Sequence, residues 1–137
     1  MSKFESSIKI IPYSQTNVYR MLSDLNNIER IKDKLPNDKI SDLVFDRDSV
    51  SFSVSPIGNV SMRIIDREEP KTIKFGSDSS PVDFKFWIQL LPIGDKKSKI
   101  KLTIDANIPF FAKKMVAEPL RNGIEKVAEV LSKINYI

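Results

Sequence analysis

The 137-residue chain has no cysteine and no histidine. Without cysteine there is no disulfide, no thiolate metal site and no thiol nucleophile. Without histidine there is no Ser-His triad, no imidazole-bound zinc and no imidazole proton shuttle. The four glycines, Gly58, Gly76, Gly94 and Gly123, stand apart from one another. No glycine-rich loop can therefore cradle a phosphate or a dinucleotide. No apolar run approaches the roughly 18 residues that a membrane span needs. The opening residues MSKFESSIKII show no charged-then-apolar export region. A cytoplasmic chain without a membrane span, a metal or a cofactor is the expectation.

What is present is the composition of a folded domain. Hydrophobic residues make up 41% and charged residues 29% of the chain, the balance of a globular protein rather than a disordered one. The length supports one domain over residues 1–137. Net charge is +4, which raises the question of nucleic acid. The charges are interspersed, however, as in Asp46-Arg47-Asp48 and Arg67-Glu68-Glu69. The densest basic stretch, residues 95–101, has no aromatic side chain among its lysines on which a base could stack. It reads as a solvated hairpin tip, and nucleic acid is not an expected partner.

Prolines and turn residues divide the chain into periodic segments. Residues 4–10 alternate, with Phe4, Ser6, Ile8 and Ile10 on one face, and predict a strand. Pro12 ends it, and Ser14 is placed to cap a short helix through Val18, Met21 and Leu22. A second short helix is expected through Ile28, Ile31 and Leu35. The period then becomes two, predicting six strands at about 40–46, 49–55, 59–68, 71–76, 82–91 and 99–108. The connections are short, so the six form an antiparallel meander. Beyond Pro109, Leu120, Ile124, Val127, Leu131 and Ile134 recur at helical spacing, with a kink or break expected at Pro119.

The last hairpin supplies its own register test. Setting Trp87 opposite Thr103 puts Phe86 against Ile104, Ile88 against Leu102 and Leu90 against Ile100. On the other face Lys85 meets Asp105 and Gln89 meets Lys101. Apolar residues then pair with apolar residues, as a half-buried sheet requires. The apolar face needs a partner, and the long helix is the element large enough to cover it.

The order strand, two short helices, six-strand meander and long C-terminal helix resembles the helix-grip fold of the SRPBCC (START-like) superfamily. That group includes START lipid-transfer domains, polyketide cyclases and dehydratases, and coenzyme Q-binding proteins. The local likeness lies in Ile8-Lys9-Ile10-Ile11-Pro12 and in Val18-Tyr19-Arg20-Met21-Leu22-Ser23-Asp24. Segments such as Trp87-Ile88-Gln89-Leu90-Leu91-Pro92 and Lys114-Met115-Val116 also resemble uncharacterised Bacteroidetes members. The implied fold is α+β, a curved antiparallel sheet of about seven strands (β-α-α-β6-α) wrapped on the long helix.

That resemblance implies a cavity between sheet and helix for a small apolar ligand. Its expected lining is Phe52, Val54, Met62, Ile64, Phe75, Phe84, Phe86, Ile88, Leu102 and Ile104 from the sheet, with Phe111, Met115 and Leu120 from the helical end. Alternate connections of a meander share one end, so Ile57, Gly58, Ser79 and Phe110 are expected at the rim. Phe110 and Phe111 either gate the cavity or close the core. No catalytic set emerges. Ser6, Tyr13, Tyr19, Asp66 and Glu68 are the candidates for inward polar groups, and edge positions or local hydrogen bonds account for each. Ile65, Trp87 and Leu91 share the outer face, either as a patch for a second copy of the chain or as scattered surface residues. Three functions stay open: a carrier or sensor of a hydrophobic molecule, an interaction domain with a filled core, and a cyclase- or dehydratase-like enzyme.

Overall fold

A computed structural model describes residues 2–35, 40–54, 58–78 and 82–136. Strands β1 (Ser2–Glu5) and β2 (Lys9–Ile11) precede helix α1 (Gln15–Leu22) and two 3-10 turns, Leu25–Arg30 and Lys32–Lys34. Strands β3 (Ile40–Phe45), β4 (Ser49–Val54), β5 (Gly58–Glu68), β6 (Thr72–Ser77), β7 (Phe84–Ile93) and β8 (Lys97–Ala106) follow. A 3-10 turn, Phe110–Ala112, leads into the long helix α2 (Lys113–Ser132). The strands form one eight-stranded sheet in the order β1-β8-β7-β6-β5-β4-β3, with β2 also paired to β8. The meander, its antiparallel pairing and the register of the last hairpin agree with the sequence reading, including Trp87 opposite Thr103.

The first strand is corrected. It is broken into β1 and β2, because its register against β8 shifts by one residue between Glu5↔Thr103 and Lys9↔Ile100. Such an extra residue reverses the facing of everything beyond it. Phe4 and Ser6 are buried as expected, whereas Ile8 and Ile10 turn outward and Ile11 takes the fully buried place. Ser6 makes the break tolerable. Its hydroxyl accepts a hydrogen bond from the Leu102 amide at 2.9 Å and donates one to the Ser7 carbonyl at 2.9 Å.

Ser14 caps α1 by accepting the Asn17 amide at 3.2 Å, and α1 buries Val18, Tyr19, Met21 and Leu22. The second short helix is instead two 3-10 turns, the first capped by the Asp24 carboxylate on the Asn26 amide at 3.0 Å. The break expected at Pro119 is absent, and α2 runs through it. Proline forfeits the hydrogen bond to the carbonyl four residues earlier, which here belongs to the exposed Met115, where water can serve it.

A second bulge, in β5 between Ile64 and Asp66, sends Ile65 and Asp66 outward. The main core joins α1, the sheet and the C-terminal half of α2. Its largest fully buried members include Phe75, Ile11, Ile73, Leu90, Ile100 and Leu102. A smaller cluster of Phe4, Ala106 and Ile108 lies at the other end, packed against Val82, Val116, Ala117 and Leu120.

Candidate functional site

The concave face of the sheet changes character along its length. At one end, Ile73, Phe75, Leu90, Ile100 and Leu102 are at most 1% exposed. The Phe75 and Phe86 rings meet there at 5.3 Å, an ordinary distance for a packed aromatic pair. Ile64 and Ile88 complete this closed floor, both buried. Towards the opposite end Phe52, Val54, Met62, Phe84 and Ile104 lie on the same face by register, and all five are only half-buried.

Helix α2 explains the difference. Its fully buried side chains are Ile124, Ala128 and Leu131, and its close backbone contacts run to β8, β1 and β2. The helix therefore approaches the sheet backbone most closely along its β1, β2 and β8 border. Val116, Leu120, Gly123 and Val127 form an adjoining stripe on α2, each half-buried. A Cβ built on Gly123 meets no atom within 4 Å, so the helix has open space beside it. The half-exposed apolar residues thus form two walls, one of sheet and one of helix, with Phe84, Ile104, Val116 and Leu120 packed against the same small cluster of Phe4, Ala106 and Ile108. Among the described residues neither wall carries an ionisable side chain.

The expected lining residues divide accordingly. Ile64, Phe75, Phe86, Ile88 and Leu102 belong to the buried floor, while Phe52, Val54, Met62, Phe84, Ile104 and Leu120 stand on the half-open walls. Phe111 and Met115, expected to face inward, are 88% and 63% exposed. They sit where the chain enters α2 and turn away from the sheet. Phe110, expected at the rim, is 92% exposed, so neither phenylalanine closes the core. Gly58 is exposed with φ of 102°, a left-handed backbone suited to glycine at a turn. Ile57 and Ser79 lie outside the described residues. Sequence reading missed Val116 and Gly123 as wall residues. An isolated glycine within a helical pattern was the available signal for the latter.

The polar candidates are engaged elsewhere or point to solvent. The Tyr13 hydroxyl donates to Asn135 Oδ1 at 3.2 Å, and its ring meets Tyr136 edge-on at 5.8 Å. Tyr19 is buried within the core, and that burial raises the pKa of its hydroxyl. Asp66 and Glu68 are exposed, the former because of the β5 bulge. On the outer face Lys85 stands opposite Asp105 and Gln89 opposite Lys101, as expected. Lys101 bonds to Glu5 at 3.3 Å, Gln89 accepts from the Thr103 hydroxyl at 2.8 Å, and Asp105 Oδ1 is buried without a partner. Among the described residues no cluster of carboxylates could hold a metal ion.

On the outer face Ile65 and Leu91 are 47% and 60% exposed, and Trp87 is half-buried. The Lys74 ammonium lies over the Trp87 ring at 5.5 Å, and Gln89 intervenes between Trp87 and Leu91 on the same side of β7. Among the described residues no helix is long and apolar enough to cross a membrane.

No family profile and no curated protein matches the chain. Solved structures do. Norcoclaurine synthase from Thalictrum flavum, in complex with dopamine and hydroxybenzaldehyde, superposes with a TM-score of 0.72 at 16% identity, covering 96% of this chain and 84% of that one. A conserved protein from Geobacillus kaustophilus gives 0.67 at 14% identity, covering 96% and 93% of the two chains. A START superfamily protein from Mycobacterium smegmatis gives 0.61 at 13% identity, covering 94% and 98%. The chain shares the helix-grip fold of these structures.

Proposed function

We propose that this helix-grip chain binds a small hydrophobic molecule between the concave sheet and α2, as a non-catalytic carrier or sensor. The observation that supports this reading is the presence of two half-exposed apolar walls, one of sheet and one of helix. Phe52, Met62, Phe84 and Ile104 stand on the first, and Leu120 and Val127 on the second. Apolar surface held open in this way gains free energy when an apolar ligand displaces water from it, at about 25 cal/mol for each Å² covered. The packed floor of Phe75 and Phe86 limits how deep a ligand can reach.

Enzymatic turnover finds less support. Acid-base or oxyanion chemistry needs a donor or a titratable group facing the substrate, and the two walls are wholly apolar. The dopamine and hydroxybenzaldehyde bound by norcoclaurine synthase belong to that protein. For this chain they support only a pocket in the corresponding layer of the fold.

The test is displacement of an environment-sensitive apolar dye, using the wild-type chain and Gly123→Phe. A phenyl ring at that position would occupy the space beside α2. Saturable dye binding to wild type, lost in the variant with an unchanged circular dichroism spectrum, is the expected result. Equal dye binding by both proteins would contradict the location.

A further inference from the structure

We propose that the entrance to α2 docks on the surface of an anionic lipid bilayer, with Phe110 and Phe111 entering the acyl boundary and Lys113 and Lys114 over the headgroups. The docking does not depend on what the interior holds.

Three observations converge on this surface. The first is the exposure of its apolar residues: Phe110 at 92%, Phe111 at 88% and Met115 at 63%. Two adjacent phenylalanines standing almost wholly in water are unusual, because exposed aromatic clusters are normally covered by something. The second is the charge around them. An open depression of about 710 Å³ between β1 and the first turns of α2 is lined by Lys3, Lys113, Lys114 and Arg121 beside Phe4, Phe110 and Phe111, and by no carboxylate. Lys3 lies 3.7 Å from Glu5, and the Arg121 guanidinium rests over the Phe4 ring at 5.6 Å. Lys113 and Lys114 take no ion-pair partner among the described residues, although the exposed Glu118 follows one turn along the helix.

The third observation is where those two lysines sit. They open α2, its first turn contains no acidic residue, and Ala112 provides no side-chain cap. The amide end of a helix favours anions and disfavours cations. Two lysines there oppose the fold's own electrostatics, and an external anion relieves the opposition. An anion satisfies the charges but not the phenyl rings, whereas an anionic bilayer satisfies both. Apolar insertion combined with headgroup attraction is how a protein without a spanning helix holds to a membrane. Single-stranded nucleic acid fits less well. Its bases need a run of ring faces along a charged groove, whereas Phe110 and Phe111 are two adjacent rings at the entrance to α2.

The experiment is flotation of the full chain with vesicles of phosphatidylcholine alone or of phosphatidylcholine with phosphatidylglycerol, at low and high salt. The variants are Phe110→Ser/Phe111→Ser and Lys113→Glu/Lys114→Glu. Lys96→Glu/Lys97→Glu, at the last residue of the β7–β8 turn and the first residue of β8, at the other end of the sheet, matches the second variant in charge change. All six positions are exposed, and a circular dichroism spectrum like that of wild type verifies each fold. Expected are binding to the anionic vesicles only, weakening with salt, and a loss on the order of tenfold or more in each α2-entrance variant. The Lys96→Glu/Lys97→Glu protein should float like wild type. The proposal is overturned if wild type stays in solution with anionic vesicles, if both lysine variants lose binding equally, or if neutral vesicles bind as well. Tighter retention on single-stranded DNA than on the anionic vesicles would also overturn it.

Discussion

Glu125 on α2 takes both hydrogen-bond donors of Ser7 at the break between β1 and β2. The Ser7 amide reaches one carboxylate oxygen at 2.8 Å and the Ser7 hydroxyl the other at 2.6 Å. Lys9 adds an ion pair at 2.9 Å. The bulge that reverses the facing of Ile8 and Ile10 is thus the point where the long helix fastens to the border strands.

This clamp has a pH signature. The Ser7 hydroxyl and amide, then Lys9, hold the Glu125 carboxyl at a pKa of about 2, against 4.5 for an ordinary glutamate. A depressed carboxyl pKa contributes stability that is complete above the unfolded value and lost as pH falls through the folded one. Glu125→Gln should therefore be less stable than wild type at pH 7, and the gap should close between about pH 4.5 and pH 2. The carboxylate is 41% exposed, so solvent screening keeps the difference to roughly 1 kcal/mol. Urea unfolding of both proteins at pH 7, 4 and 2.5 measures it, and a gap independent of pH would contradict the assignment.

Ser6→Ala should cost more than its size suggests. The substitution leaves the Leu102 amide, now bonded to the Ser6 hydroxyl, without a partner in the buried border of the sheet. Stranding a buried amide costs about 1–3 kcal/mol. The denaturant midpoint should fall accordingly, with the slope unchanged.

Floor and wall should respond differently to truncation. Phe75 is 1% exposed, and Phe75→Ala should destabilise by about 3–5 kcal/mol. Phe52→Ala and Phe84→Ala remove half-exposed rings and should each cost less than half as much. Equal losses at all three positions would mean that the sheet is covered evenly and that no wall stands open.

Gly123→Ala should stabilise the chain. Nothing lies within 4 Å of the added methyl group, and alanine is favoured over glycine within a helix by about 0.5–1 kcal/mol. A lowered thermal midpoint would show that the space beside Gly123 is already occupied.

The meander and the last hairpin were legible because period-two patterning and opposed residue types are local, repetitive signals. Phe86 facing Ile104 is written in the chain twice, once in each strand. The β1–β2 break was not legible. Phe4, Ser6, Ile8 and Ile10 alternate without a fault, and only the partner strand and the distant Glu125 decide that the register slips. The β5 bulge escaped for the same reason, and it moved Asp66 to the outside. Pro119 left kink and break both open, because a proline's effect depends on whether its freed carbonyl reaches water. At the site, the facing of Phe52, Met62, Phe84 and Ile104 followed from strand parity. The placement of α2 did not, since a helical stripe identifies the buried side of a helix but not which strands it meets. Phe110 read as a rim residue and Phe111 as a lining one, with gating and core closure both open, and only the path of the chain into α2 turns both outward.

The central claim is that the half-open space between sheet and helix holds a hydrophobic molecule. The most direct measurement is a native mass spectrum of the chain purified gently from its own host. The account predicts one non-covalent adduct per chain, lost on denaturation, with a mass that identifies its chemical class. A bare chain mass, together with no saturable uptake of any apolar dye, would contradict it and leave the half-exposed walls as an unfilled part of the core.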